Sequence, residues 1–187
     1  MLVLDLSHFP MLTTDGLILR ELTDDDTPAL FTLRSDERVM QYLGRPHATT
    51  LEDAEKLIAT VVRDRSDNNG ITWALTLKGN DTLIGTIGFY RLQKPHFRAE
   101  VGYLLHPDHW RKGLMGEALN AVVEHAFNAF GFHSIEAVTD PQNVASNQLL
   151  SRHGFVREGL FRENYFWNGK FYDSAVWSRL KGWMIQQ

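Results

Sequence analysis

A chain of 187 residues that is 43% hydrophobic and 22% charged has the composition of an ordinary soluble globular domain, long enough to bury a full core. Its formal net charge of -4 leaves no basic footprint for nucleic acid and suits a cationic substrate better. The absence of cysteine excludes disulfides, thiolate metal sites and a cysteine nucleophile, and fits a reducing cytoplasm. No segment approaches the ~20 apolar residues that span a membrane, and Met1 to Leu12 lacks the basic leader and long apolar run of a signal peptide.

After an N-terminal arm, Leu17 to Leu22 reads as a first strand. Thr23-Asp24-Asp25-Asp26 then supplies capping residues and first-turn acids, read as solvated, for a helix to about Arg34. A short helical piece near Val39 to Leu43 leads to Arg45-Pro46-His47. Thr50 opens a second helix that gathers Leu51, Ala54, Leu57, Ile58, Val61 and Val62 on one face. Beyond the turn at Asp67 to Gly70, Ile71 to Leu77, Thr82 to Arg91 and Arg98 to Leu105 predict three antiparallel strands.

Trp110 to Ala118 (Trp-Arg-Lys-Gly-Leu-Met-Gly-Glu-Ala) lies between the last of these strands and a helix running to about Phe130. Two glycines three apart, Gly113 and Gly116, let a backbone approach a ligand, and the amides that open a helix have no acceptor within it. The positive end of the helix, preceded by Arg111 and Lys112, suits a pyrophosphate. The bland alternative is a tight strand-to-helix turn and nothing more. Gly131 ends the helix, Ile135 to Thr139 is a strand, and Pro141 with Asn143 starts a helix that stops at Gly154. Two strands, about Val156 to Phe166 and Phe171 to Arg179, are joined by Trp167-Asn168-Gly169-Lys170, whose Asn-Gly pair is a strong hairpin signal. With no repeat or linker, residues 1–187 read as one α/β domain with its core at about 13–180.

This order of elements resembles the GNAT acetyltransferase superfamily, in the branch of ribosomal-protein N-acetyltransferases (RimJ/RimL-like). The family's pyrophosphate motif, Gln/Arg-x-x-Gly-x-Gly/Ala, falls on Trp110 to Met115, with Trp110 in place of the leading Gln or Arg and Met115 in place of the last small residue. Gly16-Leu-Ile-Leu-Arg-Glu-Leu, Ile84-Gly-Thr-Ile-Gly-Phe, Glu100-Val-Gly-Tyr, Asn143-Val-Ala-Ser-Asn and Gly154-Phe-Val-Arg-Glu-Gly follow the branch's pattern in order. The resemblance implies a GNAT fold: a mixed sheet of about seven strands with about four helices, an antiparallel N-terminal meander and a C-terminal hairpin. It implies acetyl-CoA as acetyl donor and no metal. The amides of Arg111, Lys112, Gly113, Leu114, Met115, Gly116 and Glu117 would hold the pyrophosphate. Leu104 and Leu105 would pair with the pantetheine arm, an amide near Leu105 would polarise the thioester, and Asn143 and Ser146 would face the arm.

Acetyl transfer needs a free amine and a protonated leaving thiolate. Glu100 is the first candidate for a general base, directly or through water, because its strand ends at the thioester; alternation alone leaves open an exposed strand carboxylate. Many relatives place a tyrosine acid seven residues after the asparagine, where this chain has Leu150. Ser146 is the nearest substitute, Tyr165 a remoter one, and water a third. His106 and His109, three apart with no matching cluster, read as surface residues rather than metal ligands. Trp110 could shape the cofactor pocket, and a Rossmann unit is disfavoured because the glycine turn follows an antiparallel meander.

The leading expectation is a cytoplasmic N-acetyltransferase that passes acetyl directly to a primary amine. An α-amine (pKa ~7.7 to 8.0) is roughly a tenth neutral at pH 7, whereas a lysine (~10.4) is almost wholly protonated, so a protein N-terminus is mildly preferred over a small molecule. Its contacts would come from the helices before Asn68 and from the final hairpin. Alternatives are a non-catalytic CoA-binding sensor and a transferase of a longer acyl group, with Arg91 or Arg98 as a basic pocket. The resemblance implies a monomer or homodimer, with Trp177, Trp183 and Met184 either at an interface or buried.

Overall fold

The computed structural model describes residues 2–182. The chain runs β1 (Leu12–Thr13), β2 (Leu17–Glu21), α1 (Thr27–Ser35), α2 (Glu37–Met40), α3 (Leu51–Ser66), β3 (Ile71–Leu77), β4 (Asn80–Gln93), β5 (Arg98–Leu105), α4 (Leu114–His125), β6 (Ser134–Thr139), α5 (Val144–Arg152), β7 (Val156–Trp167) and β8 (Lys170–Leu180). One eight-stranded sheet has the order β1-β2-β3-β4-β5-β6-β8-β7. Every neighbouring pair is antiparallel except β5 and β6. This is the expected mixed α/β architecture, with one strand and one helix more than the resemblance implies. The unexpected strand, β1, is two residues paired with Leu19 and Ile18, too short to carry a hydrophobic period. The fifth helix, α2, is a single turn that overlaps the short helical piece expected near Val39 to Leu43 and lies slightly earlier in the chain.

The parallel pairing of β5 with β6 covers only Arg98, Ala99 and Glu100, against Ser134, Ile135 and Glu136. Beyond Glu100, β5 stays paired with β4 as far as Leu105, while β6 stays paired with β8. The two strands therefore part, and the sheet opens along the second half of β5.

Alternation along the strands builds two cores. Odd-numbered residues Ile87, Phe89, Ala99, Val101 and Leu105 pack with α4 and α5, through Leu119, Val122, Val123 and Leu150. On the opposite face Ala74 and Leu83 pack with Leu30, Leu33, Ala54 and Ile58 of α1 and α3. Thr50 caps α3 in a reciprocal box with Asp53, as the sequence predicts. The predicted solvated acid run is corrected at Asp26, which is buried and held by the Arg20 guanidinium at 2.7 and 2.8 Å; only Asp24 and Asp25 face solvent. Trp177 is buried within the chain and donates to Thr139. Trp183 and Met184 lie outside the described residues. At the hairpin tip Asn168 and Gly169 both take positive φ (46° and 79°), the two-residue turn that Asn-Gly favours.

Candidate active site

The glycine turn leaves β5 through Trp110. The Trp110 indole donates back to the Leu105 carbonyl at 2.7 Å, so the ring, 42% exposed, lies against the strand end. Gly113 occupies the position before α4 with φ 79°, and a Cβ there would meet nothing within 4 Å. The glycine is required by backbone conformation, and the space before it is open. Among the described residues no backbone carbonyl accepts the amides of Arg111, Lys112 or Gly113. Those of Leu114, Met115 and Gly116 open α4 and have no acceptor in the preceding turn. Six consecutive amides are therefore without a backbone acceptor at the positive end of a twelve-residue helix.

Two predicted cradle members have other duties. The Glu117 amide donates to the Gly113 carbonyl, so the donor set stops at Gly116. The Glu117 carboxylate accepts from the Thr14 hydroxyl (2.7 Å) and the Gly16 amide (3.0 Å), tying the N-terminal strands to α4. Gly116 is buried under His153, the residue that follows α5, whose Nε2 would lie 2.5 Å from a Cβ. It is small for helix packing, not for a ligand. The side chains of Leu114 and Met115 are in the core, so only their amides can take part.

At the opening of the sheet, register decides which backbone groups are available. The His106 amide donates to the Ile84 carbonyl (2.8 Å), which sets Leu104, Gly102 and Glu100 in the bonded positions against β4. The amides and carbonyls of Leu105, Tyr103 and Val101 thereby turn toward the gap. Leu104, predicted to pair with a ligand, contributes its side chain instead. Across the gap the Tyr103 hydroxyl meets the Ser146 hydroxyl at 2.7 Å, joining β5 to α5. The Asn143 side-chain oxygen accepts the Ser146 amide (3.1 Å), which caps α5 and leaves the Asn143 amide group to face outward. Leu150 is 0% exposed, in the core, so a tyrosine acid could not reach the gap from that position without rearrangement.

On the other face of β5 lies a cavity of about 720 Å³. Its floor is unusual for a sheet. Gly88 and Gly102 face each other across β4 and β5, and the Tyr90 phenol lies over Gly102, where any Cβ would collide with it. α1, α3, the segment Gln41 to Arg45 and the final hairpin form the walls. The Tyr165 hydroxyl donates to the Gly44 carbonyl and bridges hairpin to segment; a side chain at 44 would overlap its ring. Glu100 lines this cavity and is 7% exposed, which settles the face that alternation left open.

The Glu100 carboxylate accepts from the Arg91 guanidinium at 2.8 Å, yet burial outweighs that contact and holds its pKa above the ordinary carboxylate value. Arg91 is 66% exposed, so solvent screens much of its pull. Burial also pushes Tyr90 and Tyr103 up to about 12, leaving both phenols protonated at neutral pH. Arg98 is paired with Glu136 at the opposite end of β5, away from the gap, and the same pairing logic commits Arg91; neither forms a basic pocket at the strand end. Sequence reasoning missed Tyr90 and Tyr103. Their signal, a tyrosine two residues after Gly88 and another directly after Gly102, acquires meaning only from the pairing of β4 with β5.

A family model described as Acetyltransferase (GNAT) domain matches residues 16–156. The uncharacterized N-acetyltransferase YoaA of Bacillus subtilis (strain 168) is 41% identical over 173 residues, covering 92% of this chain and 98% of that protein. The ribosomal-protein-serine acetyltransferase of Escherichia coli (strain K12) is 31% identical over 100 residues, 54% of this chain and 56% of that one. Among solved structures, RimL, a ribosomal L7/L12 alpha-N-protein acetyltransferase in complex with coenzyme A, superposes with a TM-score of 0.84 at 20% identity, over 91% of this chain and 98% of the other. With the opened sheet and the row of unpaired amides at α4, these matches establish that the chain belongs to the GNAT family and is an acetyl-CoA-dependent N-acetyltransferase.

Proposed function

We propose that this chain, acting as one catalytic domain, acetylates the α-amino group of a protein or peptide N-terminus by direct transfer. The observation that carries the reading is the position of Glu100: a buried carboxylate of raised pKa, lining a roomy cavity on the strand whose far half borders the opened sheet. A base of modest strength suits an acceptor already partly neutral near pH 7, as an α-amine is and a lysine is not.

The cradle fits a pyrophosphate by its chemistry, since six amides without carbonyl partners and an open left-handed Gly113 match an anion of that size. The residues that would hold acetyl-CoA are Arg111 to Gly116 at the pyrophosphate, the backbone of Val101, Tyr103 and Leu105 along the pantetheine arm, and the Asn143 amide group. When bound, acetyl-CoA supplies the acetyl group as a thioester. The Leu105 amide donates toward the oxygen that gains charge as the amine attacks. Glu100 takes the proton from the amine. The Tyr103 and Ser146 hydroxyls, bonded to each other and protonated at neutral pH, stand on the other side of the gap to deliver a proton to the departing sulfur. Loss of the usual tyrosine at Leu150 is met in this way from β5.

The test is an acceptor panel in which thiol release is followed and the product is weighed. Peptides with a free N-terminus gain one acetyl group on the α-amine, with higher kcat/KM than polyamines or lysine side chains of N-terminally blocked peptides. Turnover restricted to polyamines or lysine would refute the α-amine reading while leaving acetyl transfer intact.

A further inference from the structure

The acceptor cavity contains an arginine with no counter-charge. Arg34, in the last turn of α1, is half-buried and lines the cavity wall, and among the described residues no carboxylate and no hydrogen-bond acceptor meets its guanidinium. Other half-buried arginines are all paired: Arg20 with Asp26, Arg65 with Glu21, Arg98 with Glu136, Arg179 with Glu124. The charged group whose field reaches Arg34 is another cation, Arg45, from the segment that closes the same cavity. Burial is the first cause holding the Arg34 guanidinium below the usual arginine value and Arg45 is the second. The C-terminus of α1 offers only partial negative charge in compensation. Two arginines facing one space, one of them desolvated, are unfavourable until an anion joins them.

Arg45 lines the same cavity as Arg34, Glu100 and Tyr90, and its field reaches the last two as well. The remaining charged lining is Asp64, Asp140, Asp173 and the Arg91–Glu100 pair, which disfavours a multiply charged anion such as a phosphate ester. A single carboxylate fits, because each guanidinium can bond it in a fork.

We propose that Arg34 and Arg45 form a carboxylate subsite of the acceptor cavity, so that the favoured acceptor carries a carboxylate on the same molecule as its amine, either as an amino-acid α-carboxylate or as an acidic side chain next to a peptide N-terminus. The inference rests on this cavity being the acceptor site. It makes the net-acidic chain selective for a dipolar amine rather than for a simple polycation.

The experiment is isothermal titration of the protein saturated with CoA, using two matched acceptor pairs: serine against serinamide, and Ser-Asp amide against Ser-Asn amide. The acidic member of one pair binds roughly ten-fold or more tightly, the amount a charge-assisted hydrogen bond supplies, and which pair responds identifies the source of the carboxylate. The preference collapses in Arg34→Gln and in Arg45→Gln; the second change lies at an exposed position and leaves packing untouched. Equal affinities within both pairs would overturn the subsite, as would a preference that survives both substitutions. Thiol release with serinamide separates the two readings: turnover of this carboxylate-free amine at an undiminished kcat/KM refutes the subsite alone, whereas turnover of spermidine to the exclusion of all four refutes the α-amine reading with it.

Discussion

Glu100 is held by two opposed influences, burial that raises its pKa and the Arg91 contact that lowers it, and burial prevails. As a base it must be ionised, so the acid limb of the pH–rate profile should lie above the ordinary carboxylate value of ~4.3. Glu100→Gln abolishes that limb and lowers kcat by about 10² or more, with acetyl-CoA affinity unchanged in a binding titration. The effect on stability has the opposite sign. Because the folded pKa exceeds the unfolded one, the native chain binds the extra proton between the two values, and stability falls as pH rises through that window. At neutral pH the ionised carboxylate is thus a burden, and thermal denaturation finds Glu100→Gln at least as stable as the parent, since the Arg91 left behind is solvent-exposed. Ser146→Ala and Tyr103→Phe act on one hydroxyl pair. Each should lower kcat and the double variant should lower it little further, which a double-mutant cycle on kcat reads directly.

The two glycines of the turn opening α4 have similar sequence settings and different structural reasons. Gly113→Ala puts a side chain at φ 79°, a strain of about 1–2 kcal/mol, and a bulky residue there also fills the space before the amides and abolishes acetyl-CoA binding. Gly116→Ala meets the imidazole of His153, the far end of a side chain, so it displaces the His153–Asn120 contact while gaining about 1 kcal/mol of helix propensity. Acetyl-CoA titration with chemical denaturation separates the two outcomes. Helix spacing made α3 and α4 legible in the sequence, the Pro141–Asn143 start and Gly154 stop made α5 legible, and Asn-Gly made the hairpin legible. The unpaired amides of the glycine turn were legible because helix-opening amides lack partners whatever the fold. What Gly116 touches was not, because His153 arrives from the end of α5, and no local pattern near 116 reports it. The same holds for Asp26: three consecutive aspartates look solvated until Arg20 of β2 is folded against the last of them.

Over the whole molecule, the single parallel pair β5–β6 divides an otherwise antiparallel sheet, and its early end creates the opening. One face of β5 meets α4 and α5, the other forms the cavity floor. The cavity walls join parts far apart in sequence, as in the Tyr165–Gly44 bridge across 121 positions. Residue order therefore makes the proposed cofactor side, built from contiguous motifs, more legible than the proposed acceptor side. Gly102→Ala tests the shape of the floor: displacement of the Tyr90 phenol raises KM for the amine and leaves acetyl-CoA affinity unaltered in steady-state kinetics. The central claim is direct transfer between sites on either side of β5, with no acetylated enzyme. Initial rates with both substrates varied, together with the intact mass of the protein after acetyl-CoA alone, test it most directly. Direct transfer gives intersecting double-reciprocal lines and an unmodified chain; parallel lines and a protein heavier by one acetyl group would rule it out.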